Sequence, residues 1–235
     1  MKNNQAYNQN KCEMDDRTDG QKDEIKSLFC YGDEKNKKMI WKLKTDPKFC
    51  VSDDGKNLMK RLSGEISGRD AERWEVSQEV AWPKVRHAPI IIAPPSSSYW
   101  QSKKGFDHMH VFMKKISKTY GYKYIPHAII PKLAKGSQKL LNKKERQDQS
   151  CGAYTLSNYF KYFLKTALKA KATLTSATAE AAEAQVFEIL IIDDVKTTGS
   201  TVIECIKTVE RYVSLGHLSS ENNVNVSGMT IAYEA

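Results

Sequence analysis

The feature that most constrains the fold is a strand, a short polar turn and a helix that follow one another near the C-terminus. Val186–Ile192 is almost entirely apolar, which is typical of a strand buried on both faces of a parallel sheet. Thr201–Tyr212 has apolar residues at helical spacing, and Val224–Tyr233 predicts a further strand. A strand, a helix and a second strand in this order predict a parallel β-α-β unit.

The rest of the chain continues this alternation. Strands are predicted at Ser27–Tyr31, Ala88–Ala93 and Lys123–Ile130, the last closed by Pro131. Helices are predicted around Met39–Leu43 and Leu58–Ile66, with Pro47 and Asp53–Gly55 between them, and at Phe106–Tyr120 and Tyr154–Leu168. We therefore expect an α/β fold, a mostly parallel twisted sheet flanked by helices in the Rossmann-like manner.

The domain organisation is simple. Residues 1–26 are polar and aperiodic and are predicted to be a disordered tail, and residues 27–235 suffice for one domain. The Ala-, Thr- and Lys-rich stretch 165–185 fits either a helix extension or a mobile excursion, and its low complexity favours the excursion at its centre.

Composition narrows the function classes. No apolar run is long enough for a membrane span, and the polar start has no signal-peptide core, so we expect a cytoplasmic protein. The five cysteines include no CxxC pair, which argues against zinc. A net charge of +9 indicates an anionic partner, either a phosphorylated small molecule or nucleic acid.

The turn after the strand of Val186–Ile192 has the chemistry of a sugar-phosphate site. Asp193 and Asp194 follow the strand directly, where carboxylates can accept hydrogen bonds from vicinal hydroxyls. The turn then offers backbone N–H groups, hydroxyls and a glycine to a phosphate at the start of a helix. Its residues are Val195, Lys196, Thr197, Thr198, Gly199, Ser200 and Thr201. An ordinary helix N-cap cluster that binds nothing is the alternative, and it is the weaker one here.

This segment resembles the signature of type I phosphoribosyltransferases, which bind 5-phosphoribosyl-1-pyrophosphate (PRPP). The resemblance implies that Asp193 and Asp194 are catalytic residues that hold the ribose hydroxyls, and that Val195–Thr201 cradles the 5-phosphate. It also implies that Mg²⁺ enters with PRPP rather than on protein ligands, and that pyrophosphate is displaced by a nitrogenous base or an amine.

Other segments resemble the ComF family within this superfamily. The similar segments are Leu28–Gly32, Ile40–Lys44, Lys104–His108, and Gln138, Leu141, Glu145, Arg146 and Gln149. The zinc module with which that family often begins is absent here. The resemblance implies, as an alternative function, a non-catalytic protein that binds nucleotides or single-stranded DNA in competence and DNA uptake. A homodimer is compatible with the sequence but not indicated by it.

A pyrophosphate-binding loop is predicted from the same resemblance. Its residues are Ala93, Pro94, Pro95 and Ser96 after the first core strand, with Lys103, Lys104 and Arg146 as cationic partners. Solvated lysines and a charged helix face explain the last three equally well. His108 and His110 stand two apart and do not share a helix face, so no histidine receives a catalytic or metal-binding role.

Overall fold

The computed structural model describes residues 25–67, 89–96, 102–132, 152–176, 187–214 and 224–234. Five strands form one sheet in which every neighbouring pair is parallel, in the order β1-β7-β6-β2-β3. These strands are β1 (Lys26–Cys30), β2 (Ile90–Ile92), β3 (Lys123–Tyr124), β6 (Phe187–Lys196) and β7 (Val224–Tyr233). A separate antiparallel pair joins β4 (Ile129–Pro131) to β5 (Tyr154–Leu156). The predicted α/β fold with a parallel sheet is confirmed.

Helices cover both faces of the sheet. The first face carries α1 (Glu34–Thr45), α2 (Asp53–Ser67) and α3 (His108–Tyr120), and the second carries α4 (Asn158–Ser176) and α5 (Ser200–Tyr212). Side chains of β6 alternate between two buried clusters, with Leu190 and Ile192 on the first face and Ile189 and Ile191 on the second. Burial on both faces explains why the middle of this strand, Ile189–Ile192, is apolar.

The strand order creates a crevice at one edge of the sheet. From β2 the chain passes through α3 to β3 on one side, and from β6 it passes through α5 to β7 on the other side. Connections that leave two adjacent strands in opposite directions open a gap at their carboxyl ends, and open α/β sheets bind ligands there. The segments after β2 and β6 are the two for which ligand contacts are predicted.

Local signals fix the helix that borders this crevice. Asp107 is the N-cap of α3 and accepts a hydrogen bond from the His110 backbone N–H at 3.0 Å. Gly121 ends the helix in the left-handed conformation, with φ of 77°. The predicted stop at Gly121 is confirmed.

Three of the predicted elements are wrong in type or extent. Tyr154–Leu156, predicted as the start of a helix, is strand β5, and the helix begins only at Asn158 after Ser157. Lys123–Ile130 is not one strand, because the extended backbone is interrupted at His127, whose φ is 50°; the second part, β4, does end at Pro131 as predicted. Asp53–Gly55 is not a linker but the first turn of α2, where Gly55 packs against the Phe49 carbonyl.

The remaining stretches are described in part. Helix α4 continues to Ser176, which favours the helix-extension alternative for the first half of 165–185. Residue Ile25 is buried and β1 begins at Lys26, one residue earlier than the predicted strand. Among the described residues, no helix is both long and apolar enough to cross a membrane.

Candidate functional site

A cavity of about 370 Å³ lies at the carboxyl edge of the sheet, in the crevice between β2 and β6. Three regions of the chain form its walls: the end of α1, the segments around β2 and the start of α3, and the end of β6 with the start of α5. The lining residues are Lys44, Pro94, Pro95, Ser96, Lys104, Phe106, Asp107, His108, Met109, Asp193, Asp194 and Thr201. Its volume lies in the range of about 300–1,000 Å³ that is usual for small-molecule sites.

Asp194 is the point at which these walls meet. Its Oδ2 atom lies 2.7 Å from Nε2 of His108 and 3.2 Å from Nζ of Lys44. Only 15% of the Asp194 side chain and 16% of the His108 side chain are exposed. Charge-assisted hydrogen bonds of this kind are about twice as strong as neutral ones, and they hold the three side chains in one arrangement.

The two acids differ in their pKa values because they face different surroundings. Burial, together with the neighbouring charge of Asp194, raises the pKa of Asp193 to about 7. Burial would also raise the pKa of Asp194, but the hydrogen bond from His108 and the charge of Lys44 outweigh it and keep that pKa below its ordinary value. At neutral pH the site therefore contains one firmly ionised carboxylate and one that exchanges its proton.

The predicted phosphate loop is shorter than expected, because β6 continues past the acids. Val195 and Lys196 belong to the strand and pair with Ala232 and Tyr233 of β7, so the turn proper is Thr197–Gly199. Gly199 is the N-cap of α5, with φ of 72°, in the left-handed region that favours glycine. A methyl group added there would lie 3.0 Å from Cδ1 of Ile25.

The start of α5 keeps backbone donors for a ligand. The Thr198 hydroxyl donates to Oγ of Ser200 at 2.8 Å and accepts from the Ser200 backbone N–H at 3.3 Å. Gly199 has no side chain that could cap the helix, and within the described residues the first helical bond runs from the Ile203 N–H to the Gly199 carbonyl. The N–H groups of Thr201 and Val202 thus remain for an anion at the positive end of the helix.

Only some of the residues predicted to bind pyrophosphate line the cavity. Pro94, Pro95 and Ser96 line the cavity, as does Lys104, whereas Ala93 and Lys103 do not. Nζ of Lys104 donates to the Lys44 carbonyl at 3.0 Å, and burial together with the charge of Lys44 lowers its pKa. Arg146 lies outside the described residues.

Two residues of the site were missed as functional groups by sequence reasoning. Lys44 lies in the last turn of α1, and His108 is the first residue of α3. His108 and Asp194 are 86 positions apart, so no local pattern could pair them. The one available signal was the position of His108 directly after the N-cap Asp107, in a loop already expected to reach the carboxyl edge of the sheet.

A second histidine cluster lies outside the cavity. Nδ1 of His110 is 3.1 Å from the Tyr124 hydroxyl, and its ring stacks on His127 at 5.6 Å between centroids. Burial and the charge of His127 lower the pKa of His110. Among the described residues, no group of three or more His, Cys, Asp or Glu side chains could hold a metal ion.

No family model matches the chain, and no curated protein matches it. The assignment of a function therefore depends on the chemistry of this cavity.

Proposed function

We propose that the cavity binds PRPP and that the protein transfers its phosphoribosyl group to a nitrogenous acceptor with release of pyrophosphate. One observation carries the proposal: the acid pair, Thr201 at the start of α5 and two lysines line a single cavity at the carboxyl edge of a parallel sheet. Few ligands carry both a diol and two separate anionic groups within the size of this cavity. PRPP has a ribose diol between a phosphate and a diphosphate.

Each part of PRPP has a matching wall. The 5-phosphate would lie against the N–H groups at the start of α5 and the hydroxyls of Thr198 and Thr201. The ribose hydroxyls would donate to Asp193 and Asp194. The diphosphate would then lie towards Lys44 and Lys104. Their positive charges stabilise the negative charge that builds up on the diphosphate as it leaves.

The proposed reaction requires the protein to bind and orient PRPP and not to form a covalent bond with it. Nucleophilic attack at C1 of the ribose passes through a transition state with positive charge on the sugar, which the ionised Asp194 stabilises. The walls of Pro94, Phe106 and Met109 exclude water from the reacting carbon. Mg²⁺ would enter with the diphosphate and neutralise part of its charge.

Calorimetry with PRPP and Mg²⁺ tests the binding step. We expect the double variant Asp193→Asn, Asp194→Asn to lose at least about 100-fold in affinity, because both diol acceptors lose their charge. The chain offers a matched control in Asp53 and Asp54, an adjacent and exposed acid pair on α2. If the Asp53→Asn, Asp54→Asn variant loses as much affinity, or if the unaltered protein does not bind PRPP, the proposal is wrong.

A second candidate function, binding of single-stranded DNA, is favoured by one specific observation. The Trp41 side chain is 65% exposed on the lysine-rich helix α1, one turn after Lys38, and Lys44 in the last turn of the same helix lines the cavity. An exposed indole among lysines is a stacking platform for an unpaired base. Trp41→Ala should weaken binding of an oligothymidylate about tenfold if this surface contacts DNA, and should leave it unchanged otherwise.

A further inference from the structure

His108 has one nitrogen fixed and the other available. Its Nε2 atom lies 2.7 Å from Oδ2 of Asp194, and within the described part of the chain its Nδ1 atom has no protein partner. The side chain lines the cavity, at the start of a helix whose N-cap anchors the backbone. A carboxylate that holds one nitrogen of an imidazole while the other faces a ligand site is the arrangement by which proteins orient a proton acceptor.

The surrounding charges determine which nitrogen can accept a proton. Asp194 from β6 is ionised, so it accepts a hydrogen bond and places the imidazole proton on Nε2. Lys44 from the end of α1 shares the same carboxylate oxygen, and Lys104 and Asp107 precede α3 on the cavity wall. In neutral His108 the lone pair is therefore on Nδ1.

We propose that His108 is the general base that removes a proton from a neutral nitrogen nucleophile as it attacks C1 of bound PRPP. This inference rests on the proposed function and specifies its acceptor class. The nitrogen–C1 bond forms while the C1–oxygen bond to pyrophosphate breaks, and that bond's electron pair leaves on the pyrophosphate oxygen. The N–H proton of the acceptor passes to Nδ1 of His108, which then carries the positive charge beside Asp194.

Asp193 is another titratable group that lines the cavity, but its side chain leaves β6 on the opposite side from Asp194, the partner of His108. Side chains alternate along the strand, so Asp193 faces the second face, where Tyr154 and Thr201 lie. Its Oδ1 atom also accepts the Asp194 backbone N–H at 2.8 Å. His108 lies instead with Phe106 and Met109, whose apolar side chains offer a wall for the body of the acceptor.

Two small nucleophiles separate proton removal from positioning. Hydroxylamine gives a neutral product only with loss of an N–H proton, during or after its attack, whereas azide is an anion with no proton to lose. Pyrophosphate release from PRPP and Mg²⁺ would be measured with each nucleophile on the unaltered protein and on His108→Gln. Glutamine keeps an N–H that can donate to Asp194 but cannot take up a proton.

We expect His108→Gln to slow the hydroxylamine reaction about 100-fold or more and the azide reaction by at most about 3-fold. His110→Gln is the matched control, since His110 lies two residues later on α3 and outside the cavity, and it should alter neither rate. Addition of imidazole to His108→Ala should restore part of the hydroxylamine rate but none of the small azide loss.

Other results overturn the inference. An equal loss with both nucleophiles would mean that His108 only positions Asp194, and an unchanged hydroxylamine rate would remove it from the reaction. PRPP that binds to the unaltered protein but is turned over with neither nucleophile also refutes a base at His108, while leaving the binding site intact. Failure of the proposed function is seen separately, as an absence of PRPP binding in calorimetry.

Discussion

At the scale of single residues, the two adjacent acids are expected to affect stability in opposite directions. The pKa of Asp193 is raised to about 7 in the folded protein, so between its unfolded value of 3.8 and about 7 the folded state binds a proton that the unfolded state does not. Stability therefore falls as the pH rises through this window. Asp193→Asn removes that cost, and we expect the free energy of unfolding at pH 8 to rise by about 1–3 kcal/mol.

Asp194→Asn is the control for this change, and its sign is reversed. The pKa of Asp194 is lowered in the folded protein, so its contribution is present above its unfolded value and is lost as the pH falls through its folded value. Urea denaturation at pH 8 should show Asp194→Asn less stable than the unaltered protein, and the Asp193→Asn advantage should disappear by about pH 4. A stabilising Asp194→Asn or a destabilising Asp193→Asn would contradict the electrostatic description of the pair.

Lys44 is expected to act on binding through both Asp194 and the ligand. Its ammonium group lies 3.2 Å from Oδ2 of Asp194 and on the cavity wall. Lys44→Met keeps most of the aliphatic packing and removes one positive charge, so we expect PRPP affinity to fall about 10-fold to 100-fold in calorimetry. Lys42→Met serves as the control, since that lysine pairs with Asp54 at the surface. Equal losses in the two variants would indicate a general charge effect.

At the scale of elements, the phosphate loop depends on close packing between α5 and β7. A methyl group at Gly228 would lie 2.5 Å from Cγ1 of Val202 and 3.1 Å from Cδ1 of Ile206. Valine has few alternative rotamers in a helix, so Gly228→Ala must push the start of α5 away from the sheet. We expect a loss of about 1–3 kcal/mol in urea denaturation and weaker binding of ribose 5-phosphate.

The double variant Gly228→Ala, Val202→Ala checks that cause. Truncation of Val202 leaves room for the new methyl group, so the double variant should be more stable than the sum of the two single losses predicts. Additive losses would show that the glycine matters for some reason other than contact with α5.

The elements that could be predicted from sequence are those with one dominant pattern. β6, α5 and β7 are identified by a largely apolar run, a clear helical period and a strand-like closing segment, and each element is found, although β6 extends beyond its predicted end to Lys196. The prediction of a helix at Tyr154–Leu156 was wrong. The aromatic residues Tyr154, Tyr159 and Phe160 fit a helical pattern that would extend α4 towards the N-terminus. The segment is a strand because it pairs with β4. The helix begins only after Ser157, whose hydroxyl accepts the Phe160 N–H.

The site could be predicted only where it is contiguous in the chain. Asp193, Asp194 and Thr201 follow one another in a turn whose chemistry is legible from the residue types alone. Lys44 and His108 reach Asp194 through the packing of α1 and α3 on the first face of the sheet, a distance in sequence that spacing rules do not cover. The predicted loop was also too long, because pairing with β7 extends β6 to Lys196.

At the scale of the whole molecule, the fold and the net charge act on the same cavity. Two hydrophobic layers keep β2 and β6 adjacent, and their opposite connections open the crevice where the acid pair and the lysines meet. A net charge of +9 raises the local concentration of anions around the molecule. Ligand binding should therefore depend on salt, by an amount that differs between an enclosed ligand and one that lies along the surface.

That difference separates the two candidate functions. If the protein neutralises about four phosphates of single-stranded DNA, its affinity for that DNA should fall about 50-fold between 50 and 200 mM salt. Counterion release gives log affinity against log salt a slope near −0.7 per neutralised phosphate. PRPP in a partly enclosed cavity is screened less, and we expect its affinity to fall about 10-fold or less over the same interval. Both titrations would be performed on the unaltered protein and on the Trp41→Ala variant, since the Trp41 side chain lies outside the cavity.

A protein that binds PRPP for catalysis should show the shallow salt dependence and no effect of Trp41→Ala. A steep dependence for an oligothymidylate, together with its loss of affinity in Trp41→Ala, would establish a DNA surface on α1. Weak PRPP binding with that same steep dependence would identify DNA as the principal ligand.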